Sequence, residues 1–337
     1  MFRRSQRARG PHGPPTFRRH PRCGLGAFHA EPSRAARRLA RALPLGPSTA
    51  LGTSDRTTAD VAAFVNGTMV RYLDFNDGYI GLEPGHPSDN IPACLAVAEA
   101  EGRTGRDLVT AVALGYEVQV QLQDAANLYR RGWDHVNYVL VSATLAAGKL
   151  TGLDAGQLTQ AVNIAMNGHT WAGRSWARTR RSGAPPLARP PSTAFRTQWP
   201  ACSSTGELTV SSYDPDALAD PAVAALMARV EVRGDPVLTA MLPARIPNRV
   251  TIRLTSGDEL VREVLDAPGG HGTPMTDEQF EEKFTALVAP LTSAERCGRL
   301  LDEIWNVDRA PTVTALTGAL VVVDDHPTLD GPSRETS

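Results

Sequence analysis

The sequence predicts a mainly α protein in which an all-helical domain is interrupted by a smaller α+β domain. Two observations support this prediction. Apolar residues recur every three to four positions over most of 33–170, which is the period of an amphipathic helix. Between about 207 and 267 the period shortens to two, as in strands, and helical patterns return after 273. An α+β unit inserted into a helical domain accounts for this order.

Composition divides the chain into six segments. Residues 1–32 are rich in Arg, Pro and Gly and have no apolar period, which predicts a disordered basic tail. The other segments are a helical domain over 33–172, an irregular Arg/Pro-rich segment over 173–206, the α+β domain over 207–272, returning helices over 273–325 and a disordered tail over 326–337. The two basic segments also resemble coding sequence that is read out of frame.

Helical patterns follow one another through the first domain. The predicted helices are Ser33–Leu43, Asp60–Tyr72, Ile91–Ala100, Asp107–Leu128, Val136–Leu150 and Asp154–Met166. Asp154 is well placed as the N-cap of the last of these helices.

The second domain has shorter elements. Its predicted strands are Glu207–Ser211, Val230–Val232, Arg249–Leu254 and Glu259–Leu265, with a helix over Pro221–Ala228. The Thr-Ser-Gly-Asp stretch between the last two strands indicates a hairpin. Thr276 and Gln279 then have the spacing of a capping box, which predicts that another helix begins there.

Composition argues against several classes of function. The formal net charge of −1 gives no general attraction to nucleic acid or to an anionic membrane, and no apolar run reaches the roughly 20 residues of a membrane span. The Arg-rich N-terminus lacks the apolar run of a secretory signal, and the four cysteines form no CxxC pair. These features predict a cytoplasmic protein. No nucleotide-binding motif and no HxH or HxxxH spacing is present, so neither a cofactor nor a metal is expected.

Candidate catalytic residues cluster in RYLDFNDGYIGLEPGHPSDN, at 71–90. His86 precedes a proline, and Ser88 or Asp89 could cap the helix that begins after it. A helix N-terminus beside an imidazole can hold a carboxylate and move a proton. His135 stands at the start of another helix, so the two imidazoles share a cavity if the helices pack together. Asp74 is placed to orient one of them.

Ordinary structural roles explain the same residues. A histidine near a helix start is often a cap or a surface group. Asp89, Asn90 and Asp134 are good capping residues in any protein.

Several stretches resemble the MmgE/PrpD family, whose best-known members are 2-methylcitrate dehydratases. They are AAFVNGTMVRYLDFNDGY, GHPSDN, GWDHVNYVLVSATLAAGKLTGL, and DPAVAALMARVEV with PNRVTIRL. The resemblance covers 33–170 and 207–320. It implies a helical domain interrupted by an α+β lid, a homodimer, and no cofactor or metal. It also implies a lyase of propionate catabolism that removes water from a tricarboxylate such as 2-methylcitrate, although relatives decarboxylate or isomerise related acids.

The resemblance assigns roles to particular residues. The family's active-site aspartate corresponds to Asp74, and its two histidines correspond to His86 and His135, which act as acid and base in an order left open. Asp77 and Ser88 are the candidates for substrate binding.

The chain also departs from the family pattern. Gly78 stands where a threonine is usual, and the two lysines, Lys149 and Lys283, do not match the family's lysines. An inactive remnant that only folds and dimerises is therefore a second hypothesis. A third, from the basic tail, is a nucleic-acid binder.

Overall fold

The protein consists of two compact units. The computed structural model describes residues 15–167, 215–242, 244–266, 269–270 and 273–322. The first unit contains the described residues up to 167 and those from 280 onward, and the second contains those between 215 and 279. Helices predominate among the described residues, so the prediction of a mainly α fold is confirmed. The predicted segments over 173–206 and 326–337 lie outside the described residues.

Over its described residues, the first unit is built from helices with two short pairs of strands. Its N-terminal helices are α1 (Pro15–Gly26), α2 (Glu31–Arg41), α3 (Ala59–Tyr72), α4 (Ile91–Ala100), α5 (Gly105–Ala125), α6 (Val136–Thr151) and a helix over 155–167. Its C-terminal helices are Asp277–Val288, Ala294–Trp305 and Val313–Ala319. The first of these three belongs to the first unit only from Phe280 onward. Short 3-10 turns occupy Pro87–Asn90, Tyr129–Arg131, Ala289–Leu291 and Val307–Arg309. β1 (Ser48–Thr49) pairs antiparallel with β2 (Arg56–Thr57), and β3 (Tyr79–Ile80) with β4 (Pro84–Gly85).

Capping residues set several of these helix ends. The Thr104 hydroxyl accepts a hydrogen bond from the Asp107 N–H, and the Asp107 carboxylate accepts one from the Thr104 N–H, so α5 begins with a complete capping box. The predicted cap at Asp154 is confirmed, because its carboxylate accepts the Gln157 N–H over 2.9 Å. Within the described residues, no helix is long and apolar enough to cross a membrane.

The core of the first unit joins its N-terminal and C-terminal segments. Leu95 and Leu108 belong to the same buried cluster as Phe284, Ile304 and Leu316. The backbones meet as well, since the Gly105 N–H donates to the Ala310 carbonyl over 2.9 Å. A Cβ at Gly105 would lie 1.7 Å from the Val307 carbonyl oxygen, so only glycine permits this approach.

The predicted disordered tail over 1–32 is wrong for the residues that the structure describes. The chain is helical in α1, and Cys23 and Leu25 are fully buried. Gly24 lies so close to the side chains of Leu51 and Val70 that an added Cβ would come within 2.6 Å of Leu51. The composition-based prediction failed because a short apolar segment within this arginine-rich stretch packs into the core. Residues 1–14 lie outside the described range.

The described part of the second unit contains three short helices and one hairpin. The helices are Pro215–Ala219, Pro221–Met227 and Pro236–Thr239. β5 (Asn248–Arg253) pairs antiparallel with β6 (Glu259–Val264), and Gly257 in the turn adopts a φ of 96°. The predicted hairpin is therefore confirmed, as is the capping box, in which the Gln279 N–H donates to the Thr276 hydroxyl.

Two strand predictions have other outcomes. The strand predicted at Val230–Val232 is wrong, because that stretch pairs with no described strand and stays irregular. The strand predicted at Glu207–Ser211 lies outside the described residues.

Candidate active site

His86 and His135 lie side by side in the first unit. Their ring centroids are 5.5 Å apart, and the rings meet edge to face at an interplanar angle of 60°. His86 immediately precedes the 3-10 turn Pro87–Asn90, and His135 occupies the N-cap position of α6. The fold therefore brings together two imidazoles supplied by separate loops.

The ring of His86 is held by a backbone carbonyl. Its Nδ1 lies 2.5 Å from the Asp77 carbonyl oxygen. A carbonyl oxygen can only accept a hydrogen bond, so Nδ1 carries the proton in this contact. In the neutral ring, the lone pair is therefore on Nε2.

The ring of His135 is held by a carboxylate. Its Nδ1 lies 2.9 Å from Oδ1 of Asp134. This hydrogen bond raises the pKa of His135 and lowers the pKa of Asp134 to about 2. Nε2 of His135 is buried and has no hydrogen-bond partner among the described residues.

Gly85 allows the two loops to approach each other. An added Cβ there would lie 2.5 Å from Nε2 of Gln123 and 3.1 Å from Cδ2 of His135. Gln123 is fully buried, and its amide donates to the Glu83 carbonyl over 3.0 Å, so it has little freedom to move away. The glycine before His86 is thus part of what brings the imidazoles together.

The substrate-binding candidates Asp77 and Ser88 are hydrogen-bonded to each other. One oxygen of the Asp77 carboxylate accepts the Ser88 N–H over 3.1 Å, and the other accepts the Tyr116 hydroxyl over 2.7 Å. The Ser88 hydroxyl accepts the Asn76 amide over 3.0 Å and is buried. The helix-start N–H that was expected to hold a substrate carboxylate is therefore occupied by Asp77.

The predicted cap by Ser88 or Asp89 is wrong. Neither the 3-10 turn Pro87–Asn90 nor α4 has a side-chain hydrogen bond at its N-cap position. The reason is tertiary, because Asn76 and Arg71 draw the Ser88 and Asp89 side chains away from the backbone.

Asp74 lies at the solvent-exposed side of the site. Its side chain is 64% exposed and pairs with Arg71 over 3.0 Å. Within the described part of the chain, it makes no hydrogen bond to either imidazole. Its backbone adopts a left-handed φ of 55°, a conformation that costs an L-residue about 1 kcal/mol and often marks functional loops.

Asp89 is a site carboxylate that sequence reasoning treated only as a helix cap. Its side chain is 12% exposed and faces the Arg71 guanidinium at 3.5 Å. Burial raises the pKa of Asp89, and the charges of Arg71, His86 and His135 partly offset this effect. Its position in a proline-led turn directly before the apolar helix α4 is the signal of burial that the sequence offers.

Glu83 fixes the loop that leads to His135. Its buried carboxylate accepts hydrogen bonds from the N–H groups of Leu128 and Tyr129 and from the Tyr138 hydroxyl. One side chain therefore ties the β3–β4 loop to the start of α6.

A second cation reaches the loop that carries Asp74. Nζ of Lys283, in the helix Asp277–Val288, lies 5.1 Å from the centroid of the Phe75 ring. Arg71 and Lys283 thus both lie beside the 74–77 loop. No group of three metal-ligating side chains occurs among the residues that the structure describes.

An apolar cavity of about 410 Å³ opens beside Asp89. It lies between α3, α4 and α6, and we call it the helix groove. Its lining includes Ala63, Gly67, Pro92, Ala93, Val139 and Ala143.

Family models match both parts of the chain. The model of the MmgE/PrpD N-terminal domain matches residues 22–198, and that of the MmgE/PrpD C-terminal domain matches residues 202–307. The 2-methylcitrate dehydratase of Escherichia coli K12 is 34% identical over 156 residues, which are 43% of this chain and 29% of that protein. The alkylcitrate dehydratase phiI of a fungal strain is 36% identical over 154 residues, 41% of this chain and 29% of that protein.

A third relative is similar in extent. The 2-methylcitrate dehydratase-like protein oryR of Aspergillus oryzae is 35% identical over 135 residues, 36% of this chain and 26% of that protein. The chain spans less than a third of the length of these relatives. Since the N-terminal domain model alone covers more than half of the sequence, the chain belongs to the MmgE/PrpD family.

Proposed function

We propose that the chain is a lyase of the 2-methylcitrate dehydratase type, which removes water from a tricarboxylate such as 2-methylcitrate. One observation carries this proposal. His86 and His135 lie 5.5 Å apart, each with Nδ1 held by an acceptor. Nε2 of each ring is therefore the nitrogen left for exchanging protons with a bound molecule.

The geometry suits an elimination. One imidazole removes a proton from the carbon next to a carboxylate, and the electrons of that C–H bond form the new double bond. The C–O bond to the hydroxyl group breaks, and the second imidazole supplies the proton with which the hydroxyl leaves as water. A positioned acid or base typically contributes a factor of about 10² to 10⁴ to such a step.

The two rings differ in their partners, and this suggests their roles. The Asp134 carboxylate favours the protonated form of His135 and raises its pKa. His135 therefore acts as the acid. His86 donates to a neutral carbonyl and keeps a lone pair on Nε2, so it acts as the base.

The substrate carboxylates need cations beside the imidazoles. Arg71 is 36% exposed and already gathers Asp74, Asn76 and Asp89 around its guanidinium. A substrate carboxylate can replace the exposed Asp74 on this planar donor. Lys283, whose Nζ lies 5.1 Å from the centroid of the Phe75 ring, supplies a second positive charge beside the 74–77 loop.

The test is turnover of 2-methylcitrate, followed by the absorbance of the conjugated double bond. His86→Gln and His135→Gln are each expected to lower kcat by at least about 100-fold. His29→Gln is the matched control, because His29 is exposed and its ring packs on Phe28 instead of on the imidazole pair. Circular dichroism confirms that each variant is folded.

Absence of turnover by the folded wild-type chain would contradict the proposal. That outcome would favour the alternative, an inactive relative that folds and forms dimers. The homodimer itself stays a prediction, and sedimentation equilibrium of the full chain tests it independently of activity.

A further inference from the structure

We propose that the helix groove binds an alkyl substituent of the polycarboxylate, so that the chain prefers substrates with an alkyl chain longer than methyl. This inference rests on the proposed function. It adds a substrate class to that function. The experiments below distinguish a failure of alkyl binding in the groove from a failure of the proposed lyase activity.

The groove begins beside the ion pairs that Arg71 forms with Asp74 and Asp89. On α3, Gly67 and Ala63 precede Arg71 at intervals of four residues. Positions four residues apart lie on one face of a helix, about one turn apart. The face that presents the guanidinium to the site therefore presents two small residues to the groove in the next two turns.

α6 repeats this arrangement. Val139 and Ala143 follow His135 at intervals of four residues, and both line the groove. α4 completes it, because Pro92 and Ala93 come directly after the 3-10 turn that contains Asp89. Arg71 in α3, Asp89 before α4 and His135 before α6 thus each lie next to apolar lining of the groove on the same helix, and Asp89 itself lines the groove.

The chemistry of the lining selects an alkyl chain. Small side chains leave the space open, and about 410 Å³ is far more than a methyl group needs. Asp89 lines the groove and faces the Arg71 guanidinium at 3.5 Å, so it marks the end of the groove that is nearest to the cations.

The test compares 2-alkylcitrates with chains from methyl to pentyl. Each methylene buried is expected to raise kcat/KM about fourfold until the groove is full. Gly67→Leu is the blocking variant. An added Cβ there meets only Pro92, at 3.8 Å, so the new side chain points into the groove without a backbone clash. Replacing a helix glycine also favours folding.

Gly298→Leu is the matched control, because that position is also in a helix and has no atom within 4 Å of an added Cβ. The ratio of kcat/KM for pentyl to that for methyl is expected to fall at least tenfold in Gly67→Leu and to stay unchanged in Gly298→Leu. Equal kcat/KM for all chain lengths in the wild type, or an unchanged ratio in Gly67→Leu, would overturn the inference.

A binding measurement separates this inference from the proposed function. Calorimetric titration with alkylsuccinates needs no turnover, and affinity is expected to rise with chain length in the wild type but not in Gly67→Leu. An affinity that rises with chain length, without any turnover, would refute the proposed lyase activity and support alkyl binding in the groove. Affinity that is independent of chain length would mean that another segment or a second copy of the chain fills the groove, and the inference would be wrong.

Discussion

Asp134 and His135 are neighbours in sequence, and Oδ1 of Asp134 lies 2.9 Å from Nδ1 of His135. The carboxylate thereby fixes the ring nitrogen that carries the proton and stabilises the imidazolium.

Replacing Asp134 by Asn is expected to lower the pKa of His135 toward its ordinary value of about 6.5, because the hydrogen bond to the carboxylate is the main cause of its raised pKa. Because the folded state has the higher pKa, the stabilisation is present below pH ~6.5 and is lost as the pH rises through the folded value. NMR titration of the imidazole measures the change. Asp124→Asn is the control, since Asp124 pairs with Tyr79, and an equal fall of the pKa there would refute the assignment.

Replacing Arg71 by Met is expected to raise the pKa of Asp89 further. Burial already raises this pKa, and the Arg71 charge is the largest effect that opposes it. Carbon-detected NMR titration of the side-chain carboxyl group gives the measurement. Arg130→Met removes the same charge from an exposed position and is expected to leave the pKa of Asp89 unchanged. A pKa of Asp89 that does not move in Arg71→Met would contradict the ion pair.

Replacing Glu83 by Ala is expected to lower the free energy of unfolding by about 3 kcal/mol, because the N–H groups of Leu128 and Tyr129 lose their buried charged acceptor. Urea denaturation followed by far-ultraviolet circular dichroism measures the loss. Glu101→Ala removes an exposed carboxylate and is expected to change stability by less than about 0.5 kcal/mol. Similar effects of the two substitutions would show that Glu83 does not hold the loop.

Replacing Gly85 by Ala is expected to disturb the imidazole pair, because the new Cβ collides with Gln123 and crowds His135. Overpacking of this kind costs about 1–3 kcal/mol. Gly78→Ala is the matched control, as nothing lies within 4 Å of an added Cβ there. The Cδ2–H resonance of His135 is expected to shift in Gly85→Ala only. An unshifted resonance and unchanged stability would argue against the close approach.

Much of the helical domain could be predicted from sequence. The helices α3, α4 and α6 begin and end within a residue of the predicted positions. The caps at Asp154 and Thr276 were predicted correctly as well. These features depend on side chains within a few positions of one another, so local spacing is enough to find them.

The errors arose where distant contacts overrode local preference. Ser88 and Asp89 are good capping residues, but Asn76 and Arg71 engage their side chains instead. The segment around Cys23 has a basic, proline-rich context, yet it is buried against parts of the chain that no local pattern identifies.

The sequence by itself determined which residues could exchange protons and that His86 and His135 would stand at the starts of helices. Only the tertiary structure decided which acceptor meets which ring, that Asp89 is largely buried beside Arg71, and that small residues of three helices leave a groove beside it. The physical reason is the distance along the chain over which each interaction acts. Helix formation is governed by neighbours three or four residues away, whereas burial and pairing depend on segments brought together only when the core closes.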